Sequence, residues 1–136
     1  MDKPLRVGLA GLGTVGAAVV RLLARRADEL ADRCGRPIVV TAVSARDRSK
    51  DRGVDLSGLA WHADPVSLAR DPDIDVFVEL IGGDSGPAAA AVEAALARGL
   101  PVVTANKALL ARAGNALART ADEKGVSIGF EAAVAG

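Results

Sequence analysis

Hydrophobic residues recur along this chain in two patterns that alternate. Short runs rich in Val, Ile and Leu end in glycine or polar residues, as buried parallel strands do, and they are residues 5–10, 38–43, 75–81, 100–104 and 126–130. Between them, apolar residues at helical spacing and the positions of Pro and Gly predict helices over residues 14–32, 65–70, 87–98 and 107–124. Strict alternation of strand and helix predicts an α/β fold, with a doubly wound, mainly parallel sheet and helices on both faces.

Length and composition fit one such unit. A chain of 136 residues has the size of a single domain, and we expect one domain over residues 1–136. With two Phe, one Trp and no Tyr, the core must be built from Ala, Val, Leu and Ile. Lys and Arg together number 17, as do Asp and Glu, so no overall charge attracts nucleic acid or an anionic membrane. The chain shows neither an apolar stretch of about 18 residues nor a signal-peptide pattern, and we expect a cytoplasmic protein.

Two single residues bear on candidate chemistry. Cys34 is the only cysteine, which excludes an intrachain disulfide and leaves a cysteine-based metal site without ligands, so we predict a packing role for it. His62 is the only histidine and follows Trp61, and we predict a surface or packing residue rather than a catalytic one.

A glycine-rich turn joins the first predicted strand to the first helix. It reads GLGTVG, with Gly11, Gly13 and Gly16 in the spacing G-x-G-x-x-G. The first glycine allows the tight turn, the second lets a pyrophosphate approach the backbone, and the third lets the helix pack on the strand. The N–H groups of Thr14 and Val15 can then face the phosphates. The turn predicts a Rossmann-type dinucleotide site, the alternative being a glycine turn that only connects the two elements.

The residues after the second strand bear on the choice between NAD and NADP. An acidic residue there accepts a hydrogen bond from the ribose 2′-OH of NAD, whereas an arginine accommodates the 2′-phosphate of NADP. The chain has Arg46 there, followed by Arg48 and Lys50, so NADP is at least tolerated unless these residues are only a run of solvated charges. Asp47 keeps NAD open.

Four motifs together resemble the N-terminal part of homoserine dehydrogenase. They are GLGTVG at 11–16, VELIGG at 78–83, VVTANKALLA at 102–111 and FEAAVAG at 130–136. The first is shared by many dehydrogenases, but T-A-N-K and F-E-A-x-V-A-G are much narrower. The resemblance covers essentially the whole chain. It implies the NAD(P)-dependent interconversion of L-homoserine and L-aspartate 4-semialdehyde, a step in threonine, methionine and isoleucine synthesis.

The resemblance also implies roles for individual residues. Gly13, Thr14 and Val15 would contact the cofactor, and Arg46 would lie beside its adenosine ribose or 2′-phosphate. The nicotinamide side and the crevice would be formed by Gly82, Gly83, Thr104, Asn106 and Lys107. Lys107 would position cofactor and substrate, with a separate catalytic lysine further downstream, or else be an ordinary lysine at a helix start that reaches solvent.

A monovalent metal site is the last feature that the resemblance implies. In the family a carboxylate and backbone carbonyls of this loop hold an ion, usually sodium, and Glu131, Val134 and Gly136 match the ligand positions. The alternative is that Glu131 only closes the fifth strand.

The family's second domain does not match anything in these 136 residues. That domain carries substrate-binding carboxylates, the catalytic lysine and the homodimer interface, so we expect an isolated cofactor domain with little or no turnover of its small amino-acid substrate. We also expect exposed apolar surface and weak self-association.

Three other interpretations stay open from the sequence. One is the cofactor domain of another enzyme, such as an aspartate dehydrogenase-like or dihydrodipicolinate reductase-like protein. The second is a stand-alone dinucleotide-binding or redox-sensing module, because function belongs to sites and not to folds. The third is a structural domain without a ligand.

Overall fold

The computed structural model describes residues 3–81 and 86–129. Within these ranges the elements are β1 Leu5–Ala10, α1 Thr14–Arg25, α2 Ala27–Cys34, β2 Ile38–Ser44, β3 Ala60–His62, α3 Pro65–Ala69, β4 Val76–Glu79, α4 Pro87–Ala97, β5 Val102–Thr104, α5 Lys107–Lys124 and β6 Ile128–Gly129. None of these helices is long and apolar enough to cross a membrane.

The strands form one six-stranded sheet in the order β3-β2-β1-β4-β5-β6. Every neighbouring pair is parallel. In this order the first half of the chain adds strands to one side of β1, and the second half adds them to the other side. The order confirms the predicted Rossmann-type fold. The direction of winding changes between β1 and β4, so a crevice opens there at the carboxyl ends of the strands.

The core lies in two layers because successive strand residues point to opposite faces of the sheet. Ala10 belongs to the larger layer, which includes Phe77 and buried residues of α3, α4 and α5. Leu9 belongs to the other layer, against which Val20 of α1 packs. Helices therefore cover both faces, as predicted. Ala88, Ala91 and Ala95 of α4 are completely buried, and their small side chains let this helix approach the sheet closely.

The first predicted helix is wrong in one respect, because the segment 14–32 contains two helices. The helix breaks at Arg26, whose φ of −109° and ψ of 26° lie outside helical values. Arg26 then forms an ion pair with Glu29 in the first turn of α2. Neither glycine nor proline marks this break, and the helical spacing of apolar residues continues across it.

The prediction that Cys34 is a packing residue is also wrong, since its side chain is exposed. Cys34 ends α2, and the next residue, Gly35, has a φ of +77°, a conformation that suits glycine and stops the helix. The side chain of Cys34 therefore faces solvent from the last turn of α2.

The sequence predicted five strands, and the described residues contain six. The additional strand, β3, has three residues and pairs with β2 at the edge of the sheet. A strand this short has no readable alternation of apolar and polar residues. At the other edge, β6 covers two of the four described residues in the segment predicted as the last strand, and the fifth, residue 130, lies outside the described residues.

Candidate functional site

A cleft of about 600 Å³ lies at the carboxyl ends of β1, β2 and β4. Its walls come from the glycine turn, from the residues after β2, from residues 63–65 before α3 and from residues 80–81 after β4. The cationic side chains of Arg46, Lys50 and Arg52 line one side. The cleft therefore combines the backbone of the glycine turn with positively charged side chains.

Two of the three motif glycines are required by the packing of the protein itself. Gly11 has a φ of +99°, and a Cβ on it would lie 2.9 Å from the backbone of Leu80. Its N–H donates to the Ser44 carbonyl oxygen at 2.9 Å, which ties the turn to the end of β2. A Cβ on Gly16 would lie 2.0 Å from the Gly11 carbonyl oxygen. These contacts show why the turn and the helix start can approach so closely only with glycine.

Gly13 is different, because nothing in the described part of the chain requires it to be glycine. Its φ of −72° suits any residue, and a Cβ there would meet no atom within 4 Å. The residue is exposed and lines the cleft. A glycine in open space beside a cleft is what a closely approaching ligand requires.

The start of α1 adjoins this open glycine. No side chain of the described residues caps the helix, and its first turn carries no acidic residue. The first N–H groups of a helix have no partner within it, and the helix dipole makes this end favourable for an anion. Thr14 and Val15 are exposed here, so the structure brings five predicted cofactor residues, 11, 13, 14, 15 and 16, to one end of α1.

In the loop after β2, cationic side chains line the cleft, whereas the first acidic residue, Asp47, does not. Arg46 and Lys50 line the cleft, but Asp47 does not. The Asp47 carboxylate accepts hydrogen bonds from the Ser49 hydroxyl at 2.7 Å and from the Ser49 N–H at 3.0 Å. These bonds lower the pKa of Asp47. Asp47 therefore shapes the loop, and Arg46 is the charged residue nearest the end of β2 that faces the cleft.

Arg52 joins the same loop to the glycine turn, and the sequence alone does not single it out. Its Nε donates to the Leu12 carbonyl oxygen at 3.2 Å, and another guanidinium nitrogen donates to the Lys50 carbonyl oxygen at 3.0 Å. The guanidinium carbon lies 5.8 Å from the centre of the Trp61 ring, and that of Arg48 lies 5.4 Å from it. Such cation–π contacts hold both arginines. The sequence gives no clear signal for these contacts, because residues 53–60 separate Arg52 from Trp61.

Two hydrogen-bonded aspartates, Asp64 and Asp71, follow β3 in the chain. Of the two, Asp64 lines the cleft. Asp64 accepts from the Ser67 N–H at 2.9 Å and so caps α3. Further along, Asp71 lies 2.8 Å from the Nε2 of His62, the last residue of β3, and also accepts from the Asp73 N–H at 2.8 Å. Burial raises the pKa of Asp71, but these hydrogen bonds and the electrostatic attraction of His62 and Arg98 together lower it by more, so the net pKa lies below its ordinary value. The structure thus gives His62 a clear structural partner.

On the other side of the crevice, the ends of β4 and β5 meet in a buried polar network. Glu79 is completely buried. One of its carboxylate oxygens accepts from the Ile81 N–H at 2.7 Å, and the other accepts from the Thr104 hydroxyl at 2.7 Å. The Thr104 oxygen accepts in turn from the Asn106 N–H at 3.0 Å, and the Asn106 side chain accepts from the Leu109 N–H at 3.0 Å, which caps α5.

Lys107 follows this network as the first residue of α5, and its side chain is exposed. Thr104, Asn106 and Lys107 are thus brought together at the crevice. The other predicted site residues, Gly82, Gly83, Glu131, Val134 and Gly136, lie outside the described residues. Within the described ranges, no three or more His, Cys, Asp or Glu side chains are grouped so that they could hold a metal ion.

Known proteins match this chain over nearly its whole length. Residues 11–131 match the family of the homoserine dehydrogenase NAD-binding domain. The homoserine dehydrogenase of Pseudomonas aeruginosa is 47% identical over 134 residues, which are 98% of this chain and 30% of that protein. That of Mycobacterium bovis is 43% identical over 135 residues, or 99% of this chain and 30% of its own length. The chain therefore spans about 30% of the curated relatives it matches.

Solved structures agree with these matches. The crystal structure of homoserine dehydrogenase from Thiobacillus denitrificans has a TM-score of 0.88 at 45% identity, covering 96% of this chain and 30% of that one. A hyperthermophilic archaeal homoserine dehydrogenase in complex with NADPH has a TM-score of 0.76 at 20% identity, over 96% of this chain and 44% of that one, and it supports the fold alone. The resemblance found in the sequence is confirmed: this chain belongs to the NAD-binding domain family of homoserine dehydrogenase.

Proposed function

We propose that this chain provides the cofactor site for the NAD(P)-dependent interconversion of L-homoserine and L-aspartate 4-semialdehyde. The observation that carries the proposal is Gly13, a glycine that no contact within the described structure requires, at the mouth of a cleft beside the uncapped start of α1. Membership of the NAD-binding domain family gives this open position a dinucleotide as its ligand.

The topology supports one arrangement of that dinucleotide. In a doubly wound sheet the ligand crosses the carboxyl ends of the strands where the winding changes direction. The pyrophosphate would lie over Gly13 and receive hydrogen bonds from the Thr14 and Val15 N–H groups. The adenosine would lie in the cleft on the β2 and β3 side. The nicotinamide would lie beyond β4 and β5, near residues 82–83 and the crevice residues Thr104 and Lys107.

We propose NADP as the better ligand. Arg46 and Lys50 line the adenosine part of the cleft, and Asp47 is held by Ser49 instead of facing it. A 2′-phosphate adds negative charge and strong acceptor oxygens, which a guanidinium binds well. NAD lacks that phosphate and gains less from these cations.

The reaction itself requires more than a cofactor site. Holding a substrate carbonyl beside the nicotinamide in the right orientation can contribute ~7–11 kcal/mol to lowering the barrier. We propose that Lys107 helps to position substrate and cofactor, while residues 1–136 form a single cofactor domain and a separate domain supplies the catalytic lysine and the homodimer interface. We also propose a cytoplasmic location and a sodium ion at Glu131, Val134 and Gly136.

Calorimetric titration with NADP and NAD tests the cofactor proposal. The variant Arg46→Asp should bind NADP about tenfold or more weakly, because an attraction becomes a repulsion, while its affinity for NAD changes by less than about threefold. Arg119→Asp is the matched control, since Arg119 is exposed on α5 and more than three helical turns from the end of that helix at the crevice.

Three results would contradict parts of the proposal. Equal losses of NADP and NAD affinity in Arg46→Asp would exclude its role at the 2′-phosphate. A chain that binds neither dinucleotide would exclude the cofactor site. Homoserine oxidation by the 136-residue chain alone would show that the catalytic groups lie within it.

A further inference from the structure

Glu79 is a buried carboxylate to which the proposed cofactor contacts assign no task. It is the last residue of β4 and has no exposed surface. Removing a carboxylate from water is strongly unfavourable unless hydrogen bonds replace the water. An apolar residue could occupy the same strand position without this desolvation cost. The presence of a carboxylate here therefore calls for an explanation.

The hydrogen bonds of Glu79 link three separate segments. The side chain holds the Ile81 N–H, at the point where the chain leaves β4. It also holds the hydroxyl of Thr104, its register partner at the end of β5. Because Thr104 in turn receives the Asn106 N–H, and Asn106 caps α5, the start of α5 is fixed to the same carboxylate. Backbone atoms add to the link, since the Ala105 N–H donates to the Glu79 carbonyl oxygen at 3.4 Å.

These segments surround the half of the crevice that lies opposite the adenosine cleft. In the sheet order, β4 and β5 stand on the far side of β1 from β2 and β3. Lys107 comes directly after Asn106, so its backbone position depends on the turn that Glu79 holds. The described hydrogen bonds of the Glu79 carboxylate go to Ile81 and Thr104, on the β4 and β5 side of the crevice.

We infer that Glu79 is a positioning residue for the nicotinamide half of the site. Its carboxylate fixes the exit of β4, the end of β5 and the first turn of α5 as one unit, and so sets the distance between Ile81 and Lys107. This inference rests on the proposed function, because it assigns the nicotinamide to that side. It assigns no contact between Glu79 and the cofactor.

Binding experiments with two ligands can distinguish this positioning role of Glu79 from a general effect on folding. NADP occupies both halves of the crevice, whereas adenosine 2′,5′-bisphosphate carries only the adenosine half. In Glu79→Met, which keeps the side-chain length but removes both acceptors, we expect NADP affinity to fall about tenfold while affinity for the bisphosphate stays within about twofold. Glu79→Gln retains one acceptor oxygen and should restore most of the NADP affinity. Glu93→Met, the same change at an exposed position of α4, is the control.

The Thr104 variants keep the inference testable if Glu79→Met does not fold, as judged by circular dichroism. Thr104→Val removes the hydroxyl that joins Glu79 to Asn106 and should show the same selective loss of NADP affinity, whereas Thr104→Ser should bind like the unaltered chain. Equal losses for both ligands, or no loss for either, would overturn the positioning role and leave the proposed cofactor site intact. An unaltered chain that binds neither ligand would overturn the proposed function together with the inference.

Discussion

Around the ends of β1 and β2 the site consists of backbone groups and exposed cations, whereas around the ends of β4 and β5 it consists of buried side chains. The start of α1 has no side-chain cap within the described residues, so its first amides stay available. The start of α5 is capped by Asn106, and the protein itself uses the amide of Leu109. Two helices that begin at the same edge of the sheet are thus prepared for different tasks.

In the proposed arrangement of the dinucleotide, the difference follows from what each half would bind. Phosphate groups bring their own charge, and free amides and cations bind them without tight control of position. A nicotinamide ring must be held at a defined distance from its reaction partner, and this requires a rigid arrangement of side chains more than it requires positive charge. In this arrangement the residues around β1 and β2 would contribute most of the affinity for the dinucleotide, and those around β4 and β5 would fix the position of its nicotinamide.

The largest effect should come from breaking the packing of the first half with Gly16→Ala. The added Cβ would lie 2.0 Å from the Gly11 carbonyl oxygen, so either the turn or α1 has to move. Overpacking against backbone should lower the free energy of unfolding by about 3 kcal/mol. Urea unfolding followed by circular dichroism measures it, and a loss below about 1 kcal/mol would contradict the packing argument.

The variant Gly13→Ala should affect the ligand and spare the fold. Its Cβ would meet no protein atom within 4 Å, so the free energy of unfolding should change by less than about 1 kcal/mol. A pyrophosphate lying on the backbone would meet that methyl group, and NADP affinity should fall about tenfold or more. Calorimetry with both glycine variants at one temperature provides the comparison. Unchanged NADP affinity in Gly13→Ala would mean that the pyrophosphate lies elsewhere.

The smallest effect concerns pH and the outer strand of the adenosine half. Burial raises the pKa of Asp71, but hydrogen bonds from the Asp73 N–H and His62, together with the electrostatic attraction of His62 and Arg98, bring it below its ordinary value. The folded protein therefore binds a proton at Asp71 less readily than the unfolded chain does. Its contribution to stability is present above about pH 4 and is lost as the pH falls through the lowered pKa.

We expect Asp71→Asn to be less stable than the unaltered chain at neutral pH by less than about 1 kcal/mol, and this difference to disappear in acid. Urea unfolding at several pH values measures it. Asp122→Asn, at an exposed position of α5, controls for the loss of a carboxylate in general. Parallel pH profiles for the unaltered chain and Asp71→Asn would contradict the assignment.

Much of the fold could be predicted because it depends on long, repeated patterns. The parallel strands β1, β2, β4 and β5 and the helices α4 and α5 have apolar runs or helical spacing bounded by Gly and Pro. The glycine turn could be predicted as well, since its spacing and its place between a strand and a helix reflect the physics of phosphate binding. Arg46 could be placed in the cleft because it lies two residues after the end of β2.

What could not be predicted depends on contacts between distant residues. The edge strand β3 exists through pairing with β2, and three residues carry too little pattern of their own. Arg52 is one of several cations in its loop, and only the fold brings its guanidinium to the Leu12 carbonyl. Glu79 interrupts an apolar strand, which marks it as unusual, but the sequence does not reveal that its partner is Thr104.

The stacking of Arg48 and Arg52 on Trp61 has an optical consequence. The chain contains one tryptophan and no tyrosine, so its near-ultraviolet emission comes essentially from this single ring. Arg52 both covers that ring and lines the adenosine cleft, and a phosphate that draws the guanidinium away changes the electric field around the indole. We therefore expect Trp61 to act as an intrinsic, label-free fluorophore that responds to ligands in one half of the crevice and not in the other.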